Sequence, residues 1–86
     1  MIVGANKVYE HEGRDYHIQV EDLGTGPACL EVRVYIGGAV LWRKQIPYKD
    51  VLERSLPQPE LEEELRGLMD KTIHTVQAGI AKGKIA

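Results

Sequence analysis

The stretch YEHEGRDYH, Tyr9 to His17, holds the residue types best able to do chemistry: His11 and His17, with Glu10, Glu12 and Asp15 beside and between them. An imidazole set against a carboxylate is the pairing of general acid–base catalysis, and the same groups ligate metals. Their spacing, however, matches none of the compact ligand motifs. If Glu12 and Gly13 form a turn, neighbouring side chains alternate between two faces and the five groups do not converge. A solvated hairpin tip is the expectation, with no metal bound. Cys29 is the only cysteine, so these residues can form neither an intrachain disulfide nor a thiolate zinc cluster. No base is placed beside it to generate a nucleophile, and it reads as a small residue at the start of a strand. GTGPA, Gly24 to Ala28, has neither the lysine nor the following helix of a phosphate-binding loop. No catalytic residue and no cofactor is nominated, and the chain is expected not to be an enzyme.

Two periodicities divide the chain. In RDYHIQVEDL, Tyr16, Ile18 and Val20 alternate with His17, Gln19 and Glu21; in CLEVRVYI, Leu30, Val32, Val34 and Ile36 alternate with Cys29, Glu31, Arg33 and Tyr35. Period two with one apolar side is the pattern of a half-buried strand. NKVYEH reads as a first strand and AVLWRKQI as a fourth, so strands are expected near 6–11, 14–23, 28–36 and 39–46. PYKDVLERS predicts a short helical turn near 48–54. LPQP then breaks the chain, because proline lacks an amide donor and drives its predecessor to extended geometry. From Pro59 onward Leu61, Leu65, Met69, Ile73, Val76 and Ile80 recur at three or four residues, which predicts an amphipathic helix over 59–82. His74 falls on its polar side, and Gly79 or Gly83 is expected to end it in a left-handed cap. The predicted fold over residues 1–86 is one α+β domain in two layers, a four-stranded antiparallel meander packed on a single long C-terminal helix.

Which side of the sheet carries Trp42 depends on the turn in VYIGGAVLWRK. Two glycines favour a tight two-residue hairpin. Ile36 then faces Ala39, Tyr35 faces Val40, Arg33 faces Trp42 and Glu31 faces Lys44, and facing residues share a side. On that reading the second sheet face gathers Trp42, Tyr35, Arg33, Val40, His17, Gln19 and Lys44, a mixed aromatic, aliphatic and charged surface of the kind found at interfaces. The cost is that Arg43 and Gln45 point towards the helix. A three-residue turn or a bulge reverses the choice, sending Val40, Trp42 and Ile46 to the core and leaving Lys44 to snorkel.

Hydrophobic residues are 43% of the chain and charged residues 28%, which fits a folded globular protein and not a disordered one. The net charge of -2 is unevenly spread: Glu60, Glu62, Glu63, Glu64 and Asp70 outweigh Arg66 in one segment. That acidic helix disfavours nucleic acid as a partner. No window approaches the ~20 apolar residues of a membrane span, the opening MIVGANK has no signal-peptide core, and a cytoplasmic address is expected. A chain of 86 residues buries a limited core, and self-association is the remaining way to enlarge it.

YHIQVEDLG, VRVYIGGAVLWRK and LEEELRGLMDK together resemble a group of small, largely uncharacterised bacterial proteins with the pattern HIQ-x-ED-x-G, then GG-x-x-L, then an acidic helix. The resemblance covers Tyr16 to Lys71 and implies no activity, although Trp42 and Arg43 stand where smaller residues are associated with that pattern. In topology alone, four antiparallel strands and a helix resemble the repeat of the PUR and Whirly families, which dimerise and bind single-stranded nucleic acid on sheet surfaces. None of their sequence motifs is matched. The expected function is thus a non-enzymatic homodimeric binding or adaptor module, with another protein as a further partner. Single-stranded nucleic-acid binding by an aromatic and basic sheet face is the alternative.

Overall fold

The computed structural model describes residues 4–85; Met1, Ile2, Val3 and Ala86 of the expected domain lie outside the described residues. Strands β1 (Gly4–His11), β2 (Arg14–Asp22), β3 (Cys29–Ile36) and β4 (Ala39–Pro47) form one antiparallel sheet in the order β1-β2-β3-β4. A short helix α1 (Lys49–Leu52) and a long helix α2 (Gln58–Ala81) follow. The architecture is α+β, as the two periodicities predict. Both outer hairpins close on two-residue turns with positive φ at each position, 51° and 78° at Glu12–Gly13 and 58° and 82° at Gly37–Gly38. Such turns match the right-handed twist of the strands they join, and glycine enters them without steric cost.

One face of the sheet is the core. Tyr16, Ile18 and Val20 of β2 and Leu30, Val32 and Val34 of β3 are buried in one cluster with Leu65, Met69, Ile73, Val76 and Ile80 of α2. Thr72, buried with them, donates its hydroxyl to the Leu68 carbonyl at 2.7 Å and so carries no unmet polar group inward. The backbone of α2 runs closest to β1 and β2. It therefore lies off-centre, and the β3–β4 half of the same face is covered only by side chains.

The register of β4 corrects the expected placement of Trp42 and Lys44. Ile36 pairs with Ala39 and Tyr35 with Val40, as a tight hairpin requires, but Val34 pairs with Trp42, leaving Leu41 as an extra residue in a β-bulge. Beyond it Val32 pairs with Lys44 and Leu30 with Ile46, so Trp42, Lys44 and Ile46 stand on the helix side. Arg33 faces Arg43, not Trp42, and Glu31 faces Gln45, not Lys44. The physical reason is burial. The bulge brings Leu41 and Trp42 in succession, and then Ile46, against the core cluster, and releases Arg43 and Gln45 to water. Each large apolar side chain removed from water contributes about 1.5–3 kcal/mol, more than one disrupted ladder pair costs.

The chain after β4 is tied back to the β2–β3 loop. Tyr48 is fully buried and donates its hydroxyl to Asp22 Oδ1 at 2.6 Å, while its amide donates to the Ala28 carbonyl at 2.8 Å. Asp22 Oδ1 also accepts the Gly24 amide at 2.9 Å, so one carboxylate oxygen clamps the loop start and the phenol together. Burial, and then this hydrogen bond, push the Tyr48 hydroxyl above the ordinary tyrosine value of 10.0. At the far end, α2 stops in a Schellman cap: the Gly83 amide donates to the Ile80 carbonyl at 3.0 Å and the Lys84 amide to the Gly79 carbonyl at 2.8 Å. Ile85 then folds back, and a Cβ on Gly79 would lie 3.0 Å from Ile85 Cδ1. Gly83 is the cap, and Gly79 makes room for the returning chain.

Two outcomes follow from the clamp and the bulge. Tyr48→Phe removes a hydrogen bond to a carboxylate and is expected to cost about 1.5–3 kcal/mol in urea denaturation at neutral pH. Because folding holds this proton more tightly, its contribution is complete below about pH 10 and is lost as pH rises further. The stability gap between wild type and the Phe variant should therefore hold up to about pH 10 and narrow progressively above it; a constant gap contradicts the clamp. Deleting Leu41 restores an unbroken ladder in which Trp42 still faces Val34, Lys44 still faces Val32 and Ile46 still faces Leu30. Loss of the Leu41 contacts, about 1.5–3 kcal/mol, with little change in tryptophan emission is expected, and a blue shift that shows the indole moving inward contradicts the assigned register.

Candidate functional site

The register separates the expected interface residues into two groups. His17 and Gln19 of β2, Arg33 and Tyr35 of β3 and Val40 of β4 share the open face; Trp42 and Lys44 do not join them. Pairing across the sheet sets the open face out in rows. Val8, His17, Tyr35 and Val40 form one, and Asn6, Gln19, Arg33 and Arg43 form the next. Among the described residues Val8 and Val40 are the large apolar side chains most exposed to solvent, at 54% and 52%. Val8 was legible in principle, because a two-residue turn at Glu12–Gly13 fixes it opposite His17.

The charges of this face are largely spent on one another. Arg33 Nη2 lies 3.1 Å from Glu21 Oε1 and 3.5 Å from Glu31 Oε2, and Nη1 donates to the Tyr35 hydroxyl at 3.5 Å. Those contacts, Tyr35 first and Glu31 next, hold the guanidinium more firmly protonated than an isolated arginine. An arginine held between two carboxylates has little net attraction left for a phosphate. His11 stacks on Tyr9 on the helix side, ring centroids 6.0 Å apart, while His17 projects from the opposite face. The YEHEGRDYH groups thus diverge, and among the described residues no three His, Cys, Asp or Glu side chains gather as metal ligands would.

The helix side holds an apolar groove. Because α2 sits towards β1 and β2, a groove of about 550 Å³ remains between β3–β4 and the C-terminal half of α2. Val32, Trp42 and Ile46 form its floor, and Leu68, Val76 and Ile85 its wall. Trp42 is half-buried there, resting on the core without being enclosed by it. Lys44, Lys71, Lys82 and Lys84 stand around the rim, all exposed, and none makes an ion pair among the described residues. An apolar floor under a one-sign charged rim suits a partner with an apolar centre and an acidic edge. Lys71 and Lys82 lie on the α2 flank beside the apolar stripe, which is a sequence-level signal; that Lys44 and Trp42 meet them is a property of the bulge.

Among the described residues no helix is long and apolar enough to cross a membrane. No family model, no curated protein and no solved structure matches the chain.

The rim makes a direct prediction for Trp42. In dilute protein at low salt, iodide should quench its fluorescence more strongly than caesium does, since four lysines concentrate anions at the groove. The difference should vanish near 1 M salt, where screening acts within about 3 Å. Equal quenching at low salt would contradict a cationic rim around the indole.

Proposed function

We propose that this protein is a non-enzymatic homodimeric binding module whose subunits associate through the groove between β3–β4 and α2. One observation carries the reading. The only tryptophan stands half-buried with Ile46 on β4, over the buried Val32, and faces the half-buried Leu68 of α2 across a groove that the helix does not close. Apolar surface of that kind, held rigid by the sheet beneath and framed by charge, is the usual make-up of an interface centre, where a buried aromatic contributes most of the affinity. Association would complete the two-layer packing that α2 leaves unfinished. The open faces, with their Val8–His17–Tyr35–Val40 rows, would then remain free on both subunits to receive another protein.

The alternative, single-stranded nucleic-acid binding on the open face, loses its main supports. Trp42 and Lys44 are absent from that face, and Arg33 is engaged by Glu21 and Glu31. Stacking on Tyr35 alone, with Arg43 in the neighbouring row as its cation, is a small basis for binding a polyanion.

Sedimentation across the micromolar range should show a monomer–dimer equilibrium, with Trp42 emission moving to the blue as dimer forms. Leu68→Glu, at a half-exposed position, should weaken association by about 30-fold or more, the loss expected on placing a charge in a hot-spot cluster, while leaving the melting temperature within a few degrees. A chain that stays monomeric at high micromolar concentration overturns the homodimer.

A further inference from the structure

The groove does not end at Leu68 and Lys71. The same two residues border a second hollow on the same flank of α2, edged by Glu60, Glu63 and Glu64. One flank of one helix therefore runs from acidic to basic, with apolar surface between. The helix dipole accounts for acids near Gln58 and bases near Ala81. It does not account for Lys44, which stands on β4 and faces the same groove. Glu64 is held by Arg54 at 3.2 Å, whereas Glu60 and Glu63, like the four lysines, form no ion pair among the described residues.

We propose that the occupant of the groove is α2 of a second copy, running antiparallel, so that the acidic end of each helix lies over the lysine rim of the other. The inference rests on the homodimer reading above and specifies its geometry. A two-fold axis near the middle of α2 uses the same contact twice: each helix offers Glu60, Glu63 and Glu64 and receives Lys71, Lys82 and Lys84. Leu68 and Trp42 come together near the axis, where water is excluded, and the charges at the two ends set direction and register. A fatty carboxylate or an acidic peptide would satisfy the lysines but leave the Glu60–Glu63 hollow unmatched. A chain carrying both signs in this order satisfies both.

Zero-length carbodiimide cross-linking of the unaltered protein tests this directly. Glu60 and Lys82 are about 33 Å apart along one helix, at 1.5 Å per residue, so a bond between them must join two chains. Cross-linked dimer in which residues 60–64 are joined to Lys82 or Lys84 is expected. In parallel, E60K/E63K/E64K and K71E/K82E/K84E make one helix flank wholly basic and the other wholly acidic. Each alone should dimerise at least about tenfold more weakly than wild type, and an equimolar mixture should restore association as a heterodimer. A wild-type dimer cross-linked only elsewhere, or variants that self-associate like wild type and show no preference for each other, overturns the antiparallel geometry and leaves the homodimer standing. A wild-type monomer overturns both; if decanoate then shifts Trp42 emission, the groove belongs to a small anionic amphiphile.

Discussion

Leu41 has no partner across the β3–β4 ladder, and that unpaired residue determines which side chains of β4 meet α2 and which meet water. Side chains along a strand alternate strictly, so a single insertion reverses the facing of everything after it. Were Leu41 paired with Val34 instead, the helix side would receive Arg43 and Gln45, and the open face would carry an exposed indole and Ile46. With the bulge, only Lys44 points inward, and its long stem reaches the rim of the groove. The bulge thus distributes polarity across the whole β3–β4 half of the sheet. It also keeps Arg43 beside Arg33, where Glu21 and Glu31 already offset one of the two charges.

The off-centre seat of α2 gives the bulge its further importance. The helix covers β1 and β2 closely, and its buried stripe is filled by Leu65, Met69, Ile73, Val76 and Ile80. On the other half, coverage comes from pieces that return to the sheet: Ile85, turned back by the Gly83 cap onto Gly79, and Tyr48, drawn in by Asp22. Both join the core cluster that holds the β3 row of Leu30, Val32 and Val34, which is fully buried. What they leave between them is the groove. Its apolar floor and lysine rim follow from packing left incomplete by one helix on four strands.

Much of the fold was legible because it is periodic. Alternation in β2 and β3, the three-and-four spacing of Leu61 to Ile80 and the punctuation by Glu12–Gly13, Gly37–Gly38 and the prolines placed every element close to its observed bounds, α2 falling at Gln58–Ala81 against the expected 59–82. The cap at Gly83 was legible for the same local reason. The side of Trp42 was not. A bulge has no signature in the residues that form it; it arises when the burial gained by a whole strand exceeds the cost of one broken pair. Turn chemistry correctly fixed the first two pairs of the β3–β4 hairpin, and the third was decided by a helix more than twenty residues away. The groove was illegible for a related reason, since it depends on where α2 sits across the sheet, which no stripe on the helix alone encodes. Alternation and the glycine turn suffice to place His17, Gln19, Arg33, Tyr35 and Val40 on the open face, and the Glu12–Gly13 turn adds Val8 to them.

The seat of α2 also bears on the order in which the molecule is made. Every strand pairs with its neighbour in the chain, so the sheet can zip up hairpin by hairpin as it emerges. The cover for that sheet appears only after all four strands, and it must travel back to β1 and β2 to dock. Until then the aliphatic rows of β2 and β3 stand bare, an aggregation hazard in the nascent chain that a chaperone or swift helix closure must contain.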